Sequence, residues 1–394
     1  MAMESLHEDG TVELDPKRQI GDVAASYSAF QTDDVVVAKV TPCFENGKAA
    51  LAPEMVHGVA FGTTEITVLR ASAGMVPKFL YYVVTEDRFR QMGVASMTGA
   101  GGLRRVPDRF VRDYAFHVPP LDEQRQIAEY LDRETGKIGE LIAKQEQLVA
   151  TLTERRSAQI YSAVTSGLDS GVSCRDSGCP EIGQIPLHWE TRQLKHIIRL
   201  QRSGTSVLAA DTPAGAGQVG VLKTSSVSTG VFKSGENKTV SDEELSRVTC
   251  PVRVGTILIN RANSPAYVGA AAFVENSEPN LFLSDKLWQI DVHDCDARFI
   301  SWWMQTRRYR DQVGFQIVGA SSSMQNLSYE AFRGIRLAWP PVQEQRAIAA
   351  FLYIATSKID DLVQKAKQTA GVLRERRAAL ISAAVTGKID VRGL

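Results

Sequence analysis

The sequence predicts an α+β protein in which two globular segments accompany two long helices that form an antiparallel coiled coil with a pseudo-twofold internal repeat. Two observations carry this prediction. Residues 119–169 and 340–390 are alike, and both have apolar residues at helical spacing. Each is preceded by a segment in which strand-like runs are mixed with helix-like stretches. The chain is therefore expected to contain two copies of one unit, which agrees with the two to three domains that 394 residues suggest.

The repeat is clearest where the motif P-P-x-x-E-Q-R-x-I-A begins, at Pro119 and again at Pro340. The spacing between these two prolines defines the offset of the repeat. At this offset 24 of 51 aligned positions are identical without a gap. Weaker similarity continues upstream, where residues 34–37 fall on residues 255–258. The helical part is thus constant between the copies, which suggests a shared role, and the globular part varies, which suggests a role that differs between them.

The constant segments are predicted to be helices. Each Pro-Pro precedes a helix start, where a missing N–H is harmless, and Gly167 and Gly387 lie where a helix end is expected. A helix of about 45 residues is a rod of about 65 Å, too long to bury its apolar stripe against itself. We expect the two helices to pair with each other, the alternative being that each packs separately on its own globular segment. The stripe residues are Ile127, Leu131, Ile138, Leu141, Leu148 and Leu152, and Ile348, Leu352, Ile359, Leu362, Leu373 and Leu380.

The variable segments have the pattern of α+β domains. Strands are predicted at residues 35–40, 65–69, 256–260 and 287–292, helices at 77–92 and 298–313, and loops at 99–102 and 319–323. The predicted boundaries are 1–118 for the first globular domain, 119–169 for the first helix, 170–182 for a linker, 183–339 for the second globular domain and 340–390 for the second helix.

The composition excludes several classes of protein. The sequence has no unbroken apolar run long enough to span a membrane, and the segment from Met1 to Pro16 does not resemble a signal peptide. We therefore expect a cytoplasmic protein. Five scattered cysteines fit reduced thiols, and we expect no metal site. A formal net charge of zero leaves nucleic-acid binding open, because phosphate contacts need only a local basic patch.

Two short motifs that suggest enzymes have the wrong surroundings. Residues 215–220 match G-x-G-x-x-G, but a strand-like run follows them where a dinucleotide or S-adenosylmethionine loop would open a helix, so we interpret them as a flexible loop. The Pro-Pro pairs at 119 and 340 lack the acid or amide that adenine methyltransferases place before their prolines. We expect no catalytic residues in this chain.

The chain resembles the specificity subunit of type I restriction–modification enzymes along nearly its whole length. The resemblance rests on the two P-P-x-x-E-Q-R-x-I-A openings, the two E-R-R segments that begin at Glu154 and Glu375, the two A-V-T endings, and residues 183–190, which read G-Q-I-P-L-H-W-E. It implies two target recognition domains, each reading half of an asymmetric bipartite DNA site. It also implies helices that set the spacing and dock two methyltransferase subunits. The specificity subunit is not itself an enzyme; S-adenosylmethionine, ATP and Mg are expected only in the partner methyltransferase and restriction subunits.

Candidate DNA contacts are basic or amide side chains in the variable segments, since arginine, glutamine and asparagine can pair with base edges. Two loops and two helices at equivalent positions supply most of them, and strand ends supply the rest. The alternative is that these residues do not contact DNA, the helix residues forming a solvated helix face and the loop residues belonging to a mobile loop. The candidates are Lys39, Arg88, Arg90, Arg104, Arg105, Arg261, Arg307, Arg308, Arg310, Ser321, Ser322, Gln325 and Asn326.

Candidate docking residues for the methyltransferase subunits lie in the repeated motifs of the helices, with helix-surface salt bridges as the alternative. They are Glu123, Gln124, Arg125, Arg155 and Arg156 in the first helix and Glu344, Gln345, Arg346, Arg376 and Arg377 in the second.

One feature departs from the resemblance. Extended backwards, the offset leaves the first domain without a counterpart to residues 181–221, including the I-P-x-H-W-E opening. We therefore expect a first recognition domain that is incomplete at its N-terminus. The alternative function is a coiled-coil adapter that joins proteins without binding DNA, with an autonomous enzyme as a third.

Overall fold

The computed structural model describes residues 1–14, 27–55, 58–100, 102–169, 171–321 and 324–392, with the backbone alone at 318–321. The chain folds as two compact units. The first unit contains Met1–Val149 and Gln364–Leu394, and the second contains Ala150–Val363. Both are mixtures of helix and sheet, so the predicted α+β class is confirmed. None of the helices in the described ranges is long and apolar enough to cross a membrane.

The first unit is built on a short antiparallel sheet of order β3-β2-β5, with two further strand pairs, β1-β4 and β6-β7. Its elements are β1 Ser28–Gln31, β2 Val35–Ala38, β3 Ala49–Leu51, β4 Val59–Gly62, β5 Ile66–Leu69, α1 Pro77–Thr85, α2 Asp87–Ser96, β6 Thr98–Ala100, β7 Leu103–Arg105, α3 Asp108–Asp113, the first part of α4 Leu121–Ser166 and the last part of α8 Val342–Val385.

The second unit contains the last part of α4 and the first part of α8. Its sheets have the orders β11-β19-β15-β17, β12-β14-β13-β18, β16-β21-β20, β10-β22 and β8-β9. The strands are β8 Cys174–Asp176, β9 Gln184–Pro186, β10 Glu190–Gln193, β11 Ile198–Ser203, β12 Ala209–Ala210, β13 Gly220–Leu222, β14 Asn237–Val240, β15 Ile257–Asn260, β16 Ala262–Asn263, β17 Ala271–Phe273, β18 Leu281–Phe282, β19 Leu287–Val292, β20 Ile317–Ser321, β21 Met324–Leu327 and β22 Arg336–Trp339. The helices are α5 Ala297–Trp303, α6 Arg307–Gln316, α7 Tyr329–Gly334 and α8 Val342–Val385.

The central strand of each unit is buried on both faces, which explains its continuous apolar sequence. In β2, Val35 and Val37 belong to one core cluster and Val36 belongs to another. In β15, Ile257 and Leu258 likewise face different clusters. The four predicted strands are confirmed, and the last of them, 287–292, has the predicted bounds.

Each predicted globular helix is in fact two helices. The stretch 77–92 is interrupted at Glu86, whose extended backbone turns a buried carboxylate toward Ser382, the hydroxyl of which donates to it at 2.9 Å. The stretch 298–313 is interrupted before Thr306, whose hydroxyl caps α6. Residue spacing predicted one helix in each case because a local cap or an inward polar group leaves little trace in apolar periodicity.

The two long helices are confirmed, and they run antiparallel within each unit. In the first unit, Glu146 pairs with Arg374, while Ile127 shares a core cluster with Val385. In the second unit, Arg156 pairs with Asp360 at 2.9 Å. There too, residues 160–164 of α4 share a core cluster with residues 348–352 of α8. In both units, residues with higher numbers on α4 lie next to residues with lower numbers on α8, so the two helices run antiparallel.

Strand pairing corrects the alignment of the two central strands. In the first unit Val35 pairs with Leu51 and Leu69, and in the second Ile257 pairs with Phe273 and Ile290. Val35 therefore corresponds to Ile257, whereas the ungapped alignment placed it on Thr256. The starts of β5 and β19 keep the offset of the repeated motif. The alignment of residues 34–37 with 255–258 is thus wrong by one position, because hydrogen-bond register, not sequence similarity, sets the correspondence in these strands.

Residues 215–220 lead through a turn into β13, so a strand and not a helix directly follows the motif. This confirms their interpretation as a loop. A phosphate-binding glycine motif needs a helix N-terminus directly after it, and this loop does not supply one.

Candidate nucleic-acid interface

Each unit presents a hairpin at the same place beside its central sheet. In the first unit β6 pairs with β7, and in the second β20 pairs with β21. Backbone hydrogen bonds join the hairpins to the central strands in the same way. Val106 N donates to Lys39 O at 2.8 Å, and Leu327 N donates to Arg261 O at 2.9 Å. The two hairpins are therefore structurally equivalent, which agrees with the predicted equivalence of the two loops.

The first hairpin carries two exposed arginines whose guanidinium groups meet carboxylates. Arg104 Nη2 donates to Glu45 Oε1 at 2.7 Å. Arg105 donates from Nε and from Nη2 to the two oxygens of Glu65, both at 2.8 Å. The Arg104 backbone N–H also donates to the Thr41 hydroxyl at 2.6 Å. These contacts fix the hairpin and orient both side chains.

Electrostatics reinforce the second of these pairs. Hydrogen bonds from Arg105 hold the pKa of Glu65 below its ordinary value, and the nearby charge of Lys39 acts in the same direction. The same hydrogen bonds raise the pKa of Arg105. Both groups are therefore charged across the neutral range, and the arginine keeps its cationic hydrogen-bond donors.

The hairpin turn needs glycine at one position. Gly99 has φ +132°, and a Cβ there would lie 2.5 Å from Leu103 O. Only glycine allows this close approach of the two strands.

The second hairpin carries amides in place of arginines. Gln325 is half-buried and Asn326 is exposed. Ser321 ends β20, where the backbone alone is described, and Ser322 lies outside the described residues. The equivalent turns therefore present guanidinium groups in one unit and neutral amide groups in the other.

The strand-end candidates Lys39 and Arg261 are equivalent to each other. Lys39 N donates to Glu65 O and Arg261 N donates to Lys286 O, both at 2.9 Å. Arg261 Nε also donates to Asp285 O at 2.8 Å, which leaves less of this guanidinium for a ligand.

The helix arginines divide into exposed and committed side chains. Arg88 and Arg307 are exposed on α2 and α6. Arg90 pairs with Asp87. Arg308 donates to Tyr161 and to Pro180 O, both at 3.4 Å.

Arg310 donates to three loop carbonyls, those of Val268, Pro265 and Ala266. Arg308 and Arg310 therefore hold neighbouring backbone in place, a role that their sequence positions did not reveal.

The repeated glutamines predicted to dock a partner are interior residues. Gln124 is 1% exposed and Gln345 is 0% exposed. Gln124 accepts from Val76 N at 2.8 Å and donates to the carbonyls of Gly74 and Pro119. A buried side chain with these bonds joins the start of the long helix to the globular part, so it is not a docking contact.

Gln345 repeats this arrangement in the second unit. It accepts from Asp296 N at 2.9 Å and donates to Pro340 O at 2.9 Å. In both copies the same glutamine thus accepts from the backbone N–H at the start of the adjoining globular helix.

The repeated glutamates are used differently in the two units. Glu344 Oε2 lies 2.9 Å from His188 Nε2 and accepts from the buried Trp189 Nε1 at 3.1 Å. Glu123 is half-buried; the pKa of Arg392 is raised mainly by hydrogen bonds to Asp390 and further by the charge of Glu123. Glu344 therefore anchors the H-W opening of the second unit.

The two arginines of each E-R-R segment also differ. Arg156 contacts Asp360, and its guanidinium lies 5.7 Å from the centre of the Trp302 ring. Its equivalent Arg377 donates to Asp9 O at 3.4 Å. The preceding arginines, Arg155 and Arg376, are exposed. In each pair the first arginine is the more exposed one.

Arg125 and Arg346 complete the predicted docking set. Both are exposed on the first turns of the long helices, and Arg125 pairs with Asp122 at 2.7 Å.

Three polar residues beside the hairpins did not emerge from the sequence pattern. They are Glu45, Glu65 and Lys286. The sequence around these residues gives little indication of their position, because they contact the hairpins and strand ends only once distant strands have paired.

Comparison with known proteins gives a consistent result. Residues 186–370 match the family model described as the type I restriction modification DNA specificity domain. The specificity subunit of the type I restriction enzyme EcoEI from Escherichia coli is 26% identical over 428 residues, covering 89% of this chain and 72% of that protein. The EcoAI specificity subunit from Escherichia coli is 37% identical over 128 residues, 32% of this chain and 22% of that protein.

A solved structure is similar in fold. A chain from a study of complex assembly and conformational transition of the type I R-M system has a TM-score of 0.70 and 16% identity, covering 98% of this chain and 91% of that chain. The fold is thus shared along nearly the whole chain. Residues 186–370 thus match the DNA specificity domain of type I restriction–modification systems, and the chain is similar to specificity subunits of type I restriction enzymes.

Proposed function

We propose that this chain is the non-catalytic DNA-specificity subunit of a type I restriction–modification complex. The supporting observation is that two equivalent, exposed hairpins carry different side chains that can pair with bases: Arg104 and Arg105 in one unit, and Gln325 and Asn326 in the other. Equal backbones with unequal side chains suit two half-sites of different sequence. The target is therefore an asymmetric bipartite duplex.

In this proposal residues 1–118 and 183–339 are the two recognition domains, and the long helices set the spacing between half-sites. Lys39, Arg88, Arg261 and Arg307 are additional candidates for phosphate contacts, because phosphate binding needs charge more than geometry. Arg90, Arg308 and Arg310 are weaker candidates, because they are half-buried and because Arg308 and Arg310 donate to backbone carbonyls of neighbouring loops.

The docking surface for methyltransferase subunits is proposed on the outer faces of the long helices. Arg125, Arg155, Arg346 and Arg376 are exposed there. Helix α8 also exposes Phe351 and Ile354, by 43% and 57%, one turn apart on one face. Large apolar side chains on an outer helix face suit a protein partner.

The partners of the chain are therefore double-stranded DNA, two methyltransferase subunits and, in the full complex, restriction subunits. S-adenosylmethionine, ATP and Mg belong to those subunits.

The test uses the chain with its cognate methyltransferase subunits. Long-read sequencing of DNA methylated by this complex should give one bipartite motif with unequal halves. Duplexes with that motif should bind at least about 1,000-fold more tightly than unrelated duplexes, with affinity falling steeply as salt rises.

A matched control duplex keeps both half-sites and changes the spacer by two base pairs, which should remove most of this advantage. Assembly with the partners but without sequence preference, or with salt-independent affinity, would instead favour the coiled-coil adapter.

A further inference from the structure

We infer that Arg105 and Asn326 read equivalent positions of the two half-sites, Arg105 a guanine and Asn326 an adenine. This inference rests on the proposed function and assigns base chemistry to each half. It is drawn from three features of the hairpins: the equivalence of the two positions, the way that Glu65 holds Arg105, and the exchange of Glu65 for Lys286 in the second unit.

The two positions are equivalent by backbone pairing, not only by sequence offset. Arg105 forms a bridge with Val40, the second residue after β2. Asn326 pairs with Ala262, the second residue after β15. The next residue in each hairpin, Val106 or Leu327, is buried and bonds the same central strand end. Because strand side chains alternate in direction, Arg105 and Asn326 project from the same face of their hairpins.

Alternation also separates Arg105 from its neighbour. Arg104 and Arg105 are adjacent in β7, so they project to opposite faces. Their acidic partners differ accordingly, Glu45 for the first and Glu65 for the second. A duplex that lies against one face of the hairpin therefore meets only one of the two guanidinium groups on that face.

Glu65 holds Arg105 by one edge only. The carboxylate accepts from Nε and Nη2, which uses two of the five N–H groups of the guanidinium. The end of the fork, formed by Nη1 and the remaining Nη2 hydrogen, is not bonded to any other residue of the described ranges, and the side chain is 45% exposed. A guanine presents two acceptors, O6 and N7, at the spacing of that fork. Glu65 thus orients the arginine for a bidentate guanine contact and lowers the ordering cost of binding.

The second unit has exchanged both members of this pair. Lys286 occupies the position of Glu65, since its carbonyl accepts from Arg261 N as that of Glu65 accepts from Lys39 N. Asn326 occupies the position of Arg105. An arginine beside an exposed lysine would lose its orienting carboxylate and gain a like charge. An asparagine amide supplies one donor and one acceptor, the pattern that matches adenine N7 and N6.

The experiment measures base preference at each position of both half-sites for variants in the complex with methyltransferase subunits. The first readout is the methylated motif. The second is the affinity for duplexes in which single base pairs are changed.

Arg105→Ala should lower the preference for one G·C pair in one half-site by about 5- to 100-fold and leave the other half unchanged. Asn326→Ala should do the same at one A·T pair in the other half. Arg105→Lys keeps the charge but not the fork, so it should retain affinity for unrelated DNA within about twofold and still lose the guanine preference.

The most specific test introduces the Glu–Arg pair of the first unit at the equivalent positions of the second unit. The double change Lys286→Glu with Asn326→Arg should convert the adenine preference at that position to guanine, and Asn326→Arg alone should do so less well. Arg109→Ala is the matched control, since Arg109 is an exposed arginine of the first unit that pairs with Asp113 on its own helix.

Three results would overturn the inference: Arg105→Ala weakening all duplexes equally, Arg105→Lys keeping the guanine preference, or the double change leaving the motif unchanged. A wild-type complex without any bipartite preference would instead contradict the proposed function, so the two failures are distinguishable.

Discussion

Two pairs of equivalent positions show how the two units differ. Gln124 and Gln345 are the same residue, are buried, and each accepts from the backbone N–H at the start of a globular helix. Arg105 and Asn326 are different residues, are exposed, and lie on hairpins with the same backbone pairing. The pair that is identical in the two copies is thus buried and structural, whereas the pair that differs is exposed, so its side chains can differ in what they bind.

This comparison reverses the simplest interpretation of the repeat. Repeated polar residues suggest a shared binding role, yet the most faithfully repeated glutamines are inaccessible to a partner. The neighbours that are repeated and also exposed, such as Arg155 and Arg376, are the residues for which a docking role is proposed. Polar residues inside a joint are kept because a buried amide needs a defined set of partners.

The largest expected effect is on the shared joint. Gln124→Ala and Gln345→Ala should each lower the free energy of unfolding by about 2–4 kcal/mol, because buried backbone groups lose their partners. Gln124 makes three such bonds, so its loss should be at least as large as that of Gln345. Urea unfolding measures both.

The control variants are Gln126→Ala and Gln343→Ala, which remove exposed glutamines from the same helix turns and should change stability by less than about 0.5 kcal/mol. If the buried and exposed glutamines proved equally dispensable, the joint would have no energetic role.

The next largest expected effect is a loss of stability that differs between the two units. Glu344→Ala should cost about 1–3 kcal/mol, since the buried Trp189 N–H loses its acceptor. Glu123→Ala at the equivalent position should cost less than half as much. Thermal and urea unfolding of the two variants measure the difference, and equal losses would show that the H-W opening is not what Glu344 stabilises.

A smaller effect distinguishes the arginines of one E-R-R segment. Arg156 is 16% exposed and contacts Asp360 and Trp302, so Arg156→Ala should destabilise by about 1–2 kcal/mol. Arg155→Ala should leave stability unchanged and weaken assembly with methyltransferase subunits. Unfolding curves and analytical ultracentrifugation of mixtures measure the two properties. An Arg155 variant that assembles normally would remove this residue from the docking surface.

The smallest effect is a pH dependence of the first hairpin. Because the folded-state pKa of Glu65 is lowered by Arg105, its contribution to stability is present above the ordinary carboxyl pKa and is lost as pH falls through the lowered value. The pair is exposed, so the contribution should be below about 1 kcal/mol.

NMR titration of the Glu65 carboxyl should show the lowered pKa in the wild type and a higher pKa in Arg105→Ala. An unchanged titration in that variant would mean that Arg105 does not hold Glu65 in solution.

Much of the architecture follows from the sequence alone. The long helices, the repeat and four of the strands, β2, β5, β15 and β19, could be predicted because apolar periodicity and local β-propensity act over a few residues. Two loops were also predicted at equivalent positions, because small residues followed by polar ones mark turns, but their hairpin strands were not predicted. Each of these signals is contained within one segment of the chain.

Only the tertiary structure decided which polar residues are available. It placed Gln124 and Gln345 in the interior, and it committed Arg156, Arg308 and Arg310 to internal contacts. It also moved the counterpart of Val35 from Thr256 to Ile257.

The same folding brought Glu65 to Arg105 and Lys286 to the equivalent place, although neither pairing is local in the chain. Periodicity reports which side of an element is apolar, whereas the partner of a polar side chain depends on how distant strands and helices meet.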